Sequence, residues 1–231
     1  MLPIAILAGG LATRLRPITQ TIPKALVDIA GKPFIVRQLT YLRAQGFERV
    51  VLCVGHLADQ IEGAVGDGSA FGLDVRYSND GERLLGTGGA LQRALPLLGE
   101  QFFVAHGDSW MPVDYAPIER AFRASGKPAL MTVLHNADRW DKSNVLYEAG
   151  RVVEYNKQAP KPAMRFIDYG IAVLSSSVFG EATRDRVLDL ADVYHALSLR
   201  GELAGYEVHE RFHEIGSPEG LTETIAFFAK G

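Results

Sequence analysis

The sequence predicts an α/β fold: a doubly wound, mostly parallel, Rossmann-like mixed sheet flanked by helices, with a small β-rich subregion in its second half. Three observations predict it. Short apolar runs alternate with stretches of helical periodicity over about the first 140 residues. Two of those runs, Pro3-Ile4-Ala5-Ile6-Leu7 and Val50-Val51-Leu52-Cys53-Val54, are apolar throughout, as strands buried on both faces are. Beyond them the pattern changes to that of a hairpin and isolated strands.

The elements follow in order. Residues 3–7 form the first strand and open at once into Ala8-Gly9-Gly10. Residues 34–45 set Phe34, Ile35, Leu39 and Leu42 on one face and meet Gly46, a helix stop. A strand at 50–54, a short helix at 58–65 and an alternating strand at 73–78 come next. A helix at 90–98 leads to a strand at 102–105 that ends in His106-Gly107-Asp108. A helix at 115–125 and a strand at 129–134 complete the first half. In the second half, residues 144–147 and 152–155 flank Glu148-Ala149-Gly150-Arg151 as a β-hairpin. A strand at 169–174, a helix at 188–200 and a strand-like segment at 206–215 follow. Ser217 then caps a helix with Pro218 at its first position, running to Lys230.

Composition narrows the class. The 231 residues suffice for one substantial domain, and a single domain over 1–231 is expected. Hydrophobic content of 47% with 22% charge fits a soluble globular protein. A net charge of −3 speaks against a nucleic-acid or membrane partner, so the basic residues near the N-terminus are a local device. The lone Cys53, inside an apolar run, reads as a reduced core residue. The opening run is too short for a membrane span and lacks a basic leader, so no signal peptide and a cytoplasmic location are expected.

Chemistry concentrates at the N-terminus. Gly9-Gly10 gives a bend whose amide groups can approach an anion, and Arg14, Arg16 and Lys24 place cations beside it. Phosphate oxygens want fixed amide donors and a forked guanidinium together. The segment Leu7-Ala8-Gly9-Gly10-Leu11-Ala12-Thr13-Arg14-Leu15-Arg16-Pro17, with Pro23-Lys24, resembles the signature of the sugar-phosphate nucleotidyltransferases, or NDP-sugar pyrophosphorylases. Segments 31–34 and 85–90 look most like the heptose 1-phosphate guanylyltransferases.

Four more segments carry the resemblance. Leu85-Gly86-Thr87-Gly88-Gly89-Ala90 is similar to the segment that lies against base and ribose. His106-Gly107-Asp108 ends a buried strand, where open α/β sheets bind ligands, and the resemblance puts Asp108 on Mg²⁺. Phe212-His213-Glu214-Ile215-Gly216 resembles the site of a second metal carboxylate, with Glu214 in place of the family's Asp and Phe212 in place of its Trp. Asn144, Lys157, Asp168 and Gly170 fall where the family contacts the sugar phosphate, although the usual E-K-P reads Asn156-Lys157-Gln158 here.

The resemblance implies transfer of a nucleoside monophosphate from an NTP to a sugar 1-phosphate, releasing pyrophosphate, with Mg²⁺ as cofactor. About 1–140 would be the nucleotide half and about 141–231 the sugar-phosphate half. Arg14, Lys24 and Asp108 are the expected catalytic residues. Leu7, Ala8, Gly9, Gly10, Thr13, Glu82, Gly86, Thr87 and Gly88 are expected at the nucleotide. Glu82 could accept from both guanine donors, which favours guanine, with uridylyl and cytidylyl transfer as neighbours. The expected partners are an NTP and a sugar 1-phosphate; self-association into a homo-oligomer is left open.

Other readings fare worse. No hexapeptide repeat occurs, so the acyltransferase domain of some family members is not expected. A binding-only regulatory protein of the same fold is the alternative that Glu214 suggests. Gly86-Thr87-Gly88 starts a dinucleotide fingerprint but has Leu91 at the third glycine. His209-Glu210-Arg211-Phe212-His213 spells the zincin motif, but in a strand-like context rather than the helix zinc would need. Neither a Walker A sequence nor a G-x-S-x-G elbow is present.

Overall fold

The computed structural model describes residues 1–81, 83–180 and 186–230. Its strands are β1 (Ile4–Leu7), β2 (Asp28–Ile29), β3 (Lys32–Pro33), β4 (Arg49–Val54), β5 (Asp74–Asn79), β6 (Gln101–His106), β7 (Ser109–Trp110), β8 (Ala129–His135), β9 (Val145–Glu148), β10 (Arg151–Tyr155), β11 (Phe166–Ser175), β12 (Leu203–Val208) and β13 (His213–Glu214). Its helices are α1 (Phe34–Ala44), α2 (Ala58–Val65), α3 (Gly86–Leu98), α4 (Tyr115–Ser125), α5 (Leu190–Leu199) and α6 (Pro218–Phe228).

The principal sheet has nine strands in the order β5-β4-β1-β6-β11-β8-β12-β10-β9. Seven strands run one way, and β10 and β11 run against them. β11, from the second half of the chain, lies between β6 and β8 from the first, so the two halves interleave.

Alternation within the strands explains the two layers of helices. Ile4, Ile6, Val50, Leu52 and Val54 face one core with side chains of α1, α2 and α4. Ala5, Val51 and Cys53 face the other with α3 and α5. The apolar runs read as doubly buried thus have a partner on each face. A third cluster joins Val27, Ile29, Phe34 and Ile215 to Trp110 and the α6 residues Leu221 and Phe228.

Several boundaries differ from expectation. The helix expected at 90–98 begins a turn earlier, at Gly86. The segment 206–215 is not one strand: β12 ends at Val208, and the chain then crosses to pair β13 with β7. The helix expected from 188 starts at Leu190, because Leu188 is held by backbone bonds to Leu85, Gly88 and Gly89. Asp189 caps α5 by accepting from Ala191 N at 3.0 Å, and Ser217 caps α6 as expected.

Candidate active site

β4, β1 and β6 end side by side, and their ends frame a cavity of about 250 Å³. Glycines allow the crowding. A Cβ on Gly9 would stand 3.1 Å from Gly55 N and from Val54 C. A Cβ on Gly107 would stand 3.0 Å from Leu7 O. Gly10 is different: among the described residues nothing lies within 4 Å of its Cβ position, so its missing side chain leaves the approach open. Leu7, Ala8, Gly9 and Gly10, the residues expected at the nucleotide, all line the cavity.

Lys24 and Asp108 also line it. Lys24 follows Pro23 on a short 3-10 turn, and its Nζ lies 2.5 Å from Asp108 Oδ2. Both side chains keep part of their surface open, 20% and 29%. Burial opposes ionisation of Asp108. The Lys24 ammonium, the His106 imidazole and the Ser109 hydroxyl outweigh it and hold the carboxyl below its ordinary pKa. Asp108 is therefore an anion whose counter-charge is part of the site.

Glu214 is brought next to the Asp108 strand end by the β7–β13 pairing, which sets it opposite Ser109. Ile215 N also donates to Asp108 O at 2.9 Å. The Glu214 carboxylate accepts from Gly216 N and, at 2.6 Å, from Ser217 Oγ. The Cβ position of Gly216 stands 2.5 Å from Glu214 Oε2 and 3.6 Å from Asp108 Oδ2. Asp108 is the carboxylate on the cavity wall, an oxygen donor that suits a hard cation such as Mg²⁺, whereas Glu214 is not among the lining residues and its carboxylate is held at the start of α6. Among the described residues no group of three or more His, Cys, Asp or Glu side chains could hold a metal. The remaining ligands would have to be phosphate and water oxygens, as Mg²⁺ prefers.

At the opposite wall, Gly86 and Thr87 line the cavity from the start of α3. Gly88 does not; its N–H donates to Leu188 O at 2.8 Å, and a Cβ there would meet Leu188 Cγ at 2.8 Å. The Thr87 hydroxyl donates to Asp189 Oδ1 at 2.9 Å and accepts from Leu190 N at 2.8 Å. These residues tie α3 to the segment before α5. Glu82 lies outside the described residues.

The sugar-phosphate candidates gather around a bulge in β11. Its pairing with β8 shifts register between Asp168 and Ala172. Gly170 adopts φ +101°, and a Cβ there would stand 3.5 Å from His106 Cδ2. Asp168 Oδ1 accepts from Gly170 N at 3.0 Å, and Asp168 N donates to Asn144 Oδ1 at 3.1 Å. Burial raises the Asp168 pKa, while the His106 imidazole, the Gly170 N–H and Lys157 pull the other way. Lys157 itself is exposed.

Arg14 and Thr13 are not among the residues lining the cavity. They sit on an exposed 3-10 turn, Thr13–Leu15, anchored by buried Leu15 and by Thr19 Oγ1 donating to Ala12 O at 2.7 Å. The zincin reading finds no helix. His209 is 80% exposed, whereas His213 stacks on Phe227 with centroids 4.0 Å apart.

Two polar lining residues had no role in the sequence reading. Asp80 directly follows β5, accepts from Leu85 N at 3.1 Å, and has its carboxyl pKa raised by burial. His106 joins the nucleotide cavity to the β11 bulge. The rule that ligands meet the carboxyl ends of parallel strands, applied to every strand, would have found both.

This is an α/β protein whose parallel strand ends and Lys24–Asp108 pair border a cleft. The profile of the Nucleotidyl transferase family matches residues 4–229, and the chain belongs to that family. It is 46% identical over 111 residues to an N-acetylmuramate alpha-1-phosphate uridylyltransferase of Neisseria meningitidis, an alignment covering 48% of each chain. It is 29% identical to a mannose-1-phosphate guanylyltransferase of Mycobacterium tuberculosis, covering 98% of this chain and 64% of that one. The structure of HddC from Yersinia pseudotuberculosis complexed with GMP-PN superposes with a TM-score of 0.80 at 25% identity, covering 99% and 100% of the two chains. The chain spans 48% and 64% of the lengths of the two curated relatives.

Proposed function

We propose that the protein transfers a nucleoside monophosphate from an NTP to a sugar 1-phosphate, giving an NDP-sugar and pyrophosphate. The observation that carries the reading is the Lys24–Asp108 pair, 2.5 Å apart, between the glycine-framed cavity and the Asp168–Gly170 bulge. The sugar phosphate oxygen attacks the α-phosphorus and pyrophosphate leaves. The nucleophile is already anionic, so position and charge neutralisation suffice.

In this reading Leu7, Ala8, Gly9 and Gly10 offer backbone to the nucleotide, with Gly86 and Thr87 opposite. Lys24 draws the two anionic reactants together and stabilises charge on the α-phosphate. Arg14 reaches the leaving pyrophosphate from its exposed turn, beside Thr13. Asn144, Asp168 and Gly170 hold the sugar, and Lys157 its phosphate. Asp108, with Glu214, would hold Mg²⁺, which supplies positive charge against the triphosphate oxygens.

Two bases are supported by different observations. The likeness to HddC, whose structure contains GMP-PN, and the acceptor Glu82 favour guanine. The 46% identity to a uridylyltransferase favours uracil. A matrix of four NTPs against several sugar 1-phosphates, read by pyrophosphate release, tests both. Turnover with one pair supports the reading and names the base; binding of NDP-sugars without turnover would make the protein a binding module of the same fold.

A further inference from the structure

One side chain behind the strand ends reaches both sides of the Asp108 turn. Gln38 lies on α1 and is 6% exposed. Its Nε2 donates to His106 O at 2.9 Å and to Ser109 O at 2.9 Å. Those two carbonyls bracket Gly107-Asp108. Both are acceptors only, so it is the amide nitrogen that must face them, and chemistry fixes the orientation of the side chain.

The same helix holds the Lys24 side of the pair. Phe34 N, at the start of α1, donates to Val27 O at 3.0 Å, just past the Lys24 turn. Arg37 Nε and Nη2 donate to Ile29 O at 2.9 and 2.6 Å. α1 is therefore a common frame: its N-terminus and Arg37 hold the segment after Lys24, and Gln38 holds the turn that carries Asp108.

Among the described residues, Gln38 Oε1 is buried without a hydrogen-bond partner. What the side chain contributes at the turn is therefore the pair of bonds from Nε2, whose loss would take these donors from the two carbonyls.

We infer that Gln38 is a positioning residue: its amide donors fix the 106–109 turn and so set where the Asp108 carboxylate stands relative to Lys24. The inference rests on the proposed transfer reaction for its kinetic consequence, but not for its structural one.

The test compares Gln38→Met, which keeps the length and removes the donors, and Gln38→Glu, which keeps the shape, with Tyr41→Phe. Tyr41 lies one turn further along α1, and its hydroxyl donates to Val113 O at 3.1 Å, away from the turn. Three quantities are measured: the melting temperature, the affinity for Mn²⁺ by paramagnetic resonance without substrate, and the kcat and NTP KM of the wild type's preferred reaction. Both Gln38 variants should weaken Mn²⁺ binding and lower kcat by about tenfold or more, the scale of losing a residue that orients a metal ligand, with KM nearly unchanged. Tyr41→Phe should leave Mn²⁺ affinity and kcat as in the wild type. The inference is overturned if the Gln38 variants keep wild-type Mn²⁺ affinity and kcat, if Tyr41→Phe moves both equally, or if neither Gln38 variant folds, which would make its role one of stability. A wild-type chain without turnover would sink the reaction reading, while the Mn²⁺ comparison would still decide the role of Gln38.

Discussion

The two flanks of the β6 strand end build their parts of the site differently. On the parallel flank, β1 and β4 deliver main chain: Ala8, Gly9 and Gly10 line the cavity because their strands stop there. On the antiparallel flank, β11 would pass the site edge-on. A bulge turns Gly170 toward His106 and leaves Asp168 and Asn144 as the polar groups. One flank is limited by steric room, the other by charge, and substitutions should separate the two.

The largest effects belong at the junction. Lys24→Ala and Asp108→Asn should each lower kcat/KM by at least about a hundredfold, the scale of losing a preorganised charge in a shielded site. Near-normal steady-state turnover in either variant would remove the pair from the chemistry and leave the flanks without a shared centre.

The charge-limited flank predicts a pH signature. Burial raises the folded-state pKa of Asp168 above its unfolded value. Such a group stabilises the fold fully only below the unfolded carboxylate pKa, about 3.9, and that contribution is lost as pH rises through the folded value. Asp168→Asn should therefore melt higher than wild type at neutral pH, with the difference vanishing in acid. It should also raise KM for the sugar phosphate. Melting curves that stay parallel from acid to neutral pH would show that the carboxylate is not strained by burial.

The sterically limited flank predicts a contrast between adjacent glycines. Gly9→Ala pushes a methyl to within 3.1 Å of the Val54–Gly55 backbone. Overpacking of this kind costs about 1–3 kcal/mol. Gly10→Ala meets nothing within 4 Å and should change stability by less than about 0.5 kcal/mol, while raising the NTP KM. Urea unfolding of the two variants checks the contrast; equal losses would mean that close approach is not what selects Gly9.

A modest effect is expected at Glu214. Glu214→Ala frees Gly216 N and Ser217 Oγ at the start of α6 and should cost about 1 kcal/mol, as loss of a helix cap does. It should also raise the Mg²⁺ concentration needed for half-maximal activity. An unchanged Mg²⁺ titration would leave Asp108 as the one protein carboxylate at the metal.

The sequence by itself determined the doubly wound core, because runs such as 50–54 are apolar on both alternating faces and need helices on each side. The glycine bend was legible too, since tight approach limits which residues can stand there, and the resemblance singled out Lys24 and Asp108, though not their pairing. Only the tertiary structure decided the rest. Gln38 and His106 gain their places from contacts some 70 residues apart, and the β11 bulge exists only in pairing with β8. Glu214 comes opposite Ser109 through two-residue strands that carry no periodicity of their own. Arg14 shares a motif with Lys24 yet stands on an exposed turn, because the burial of Leu15 sets which way that turn faces. Local pattern records which residues must be buried or must bend; distances between remote segments follow only once the whole sheet has closed around them.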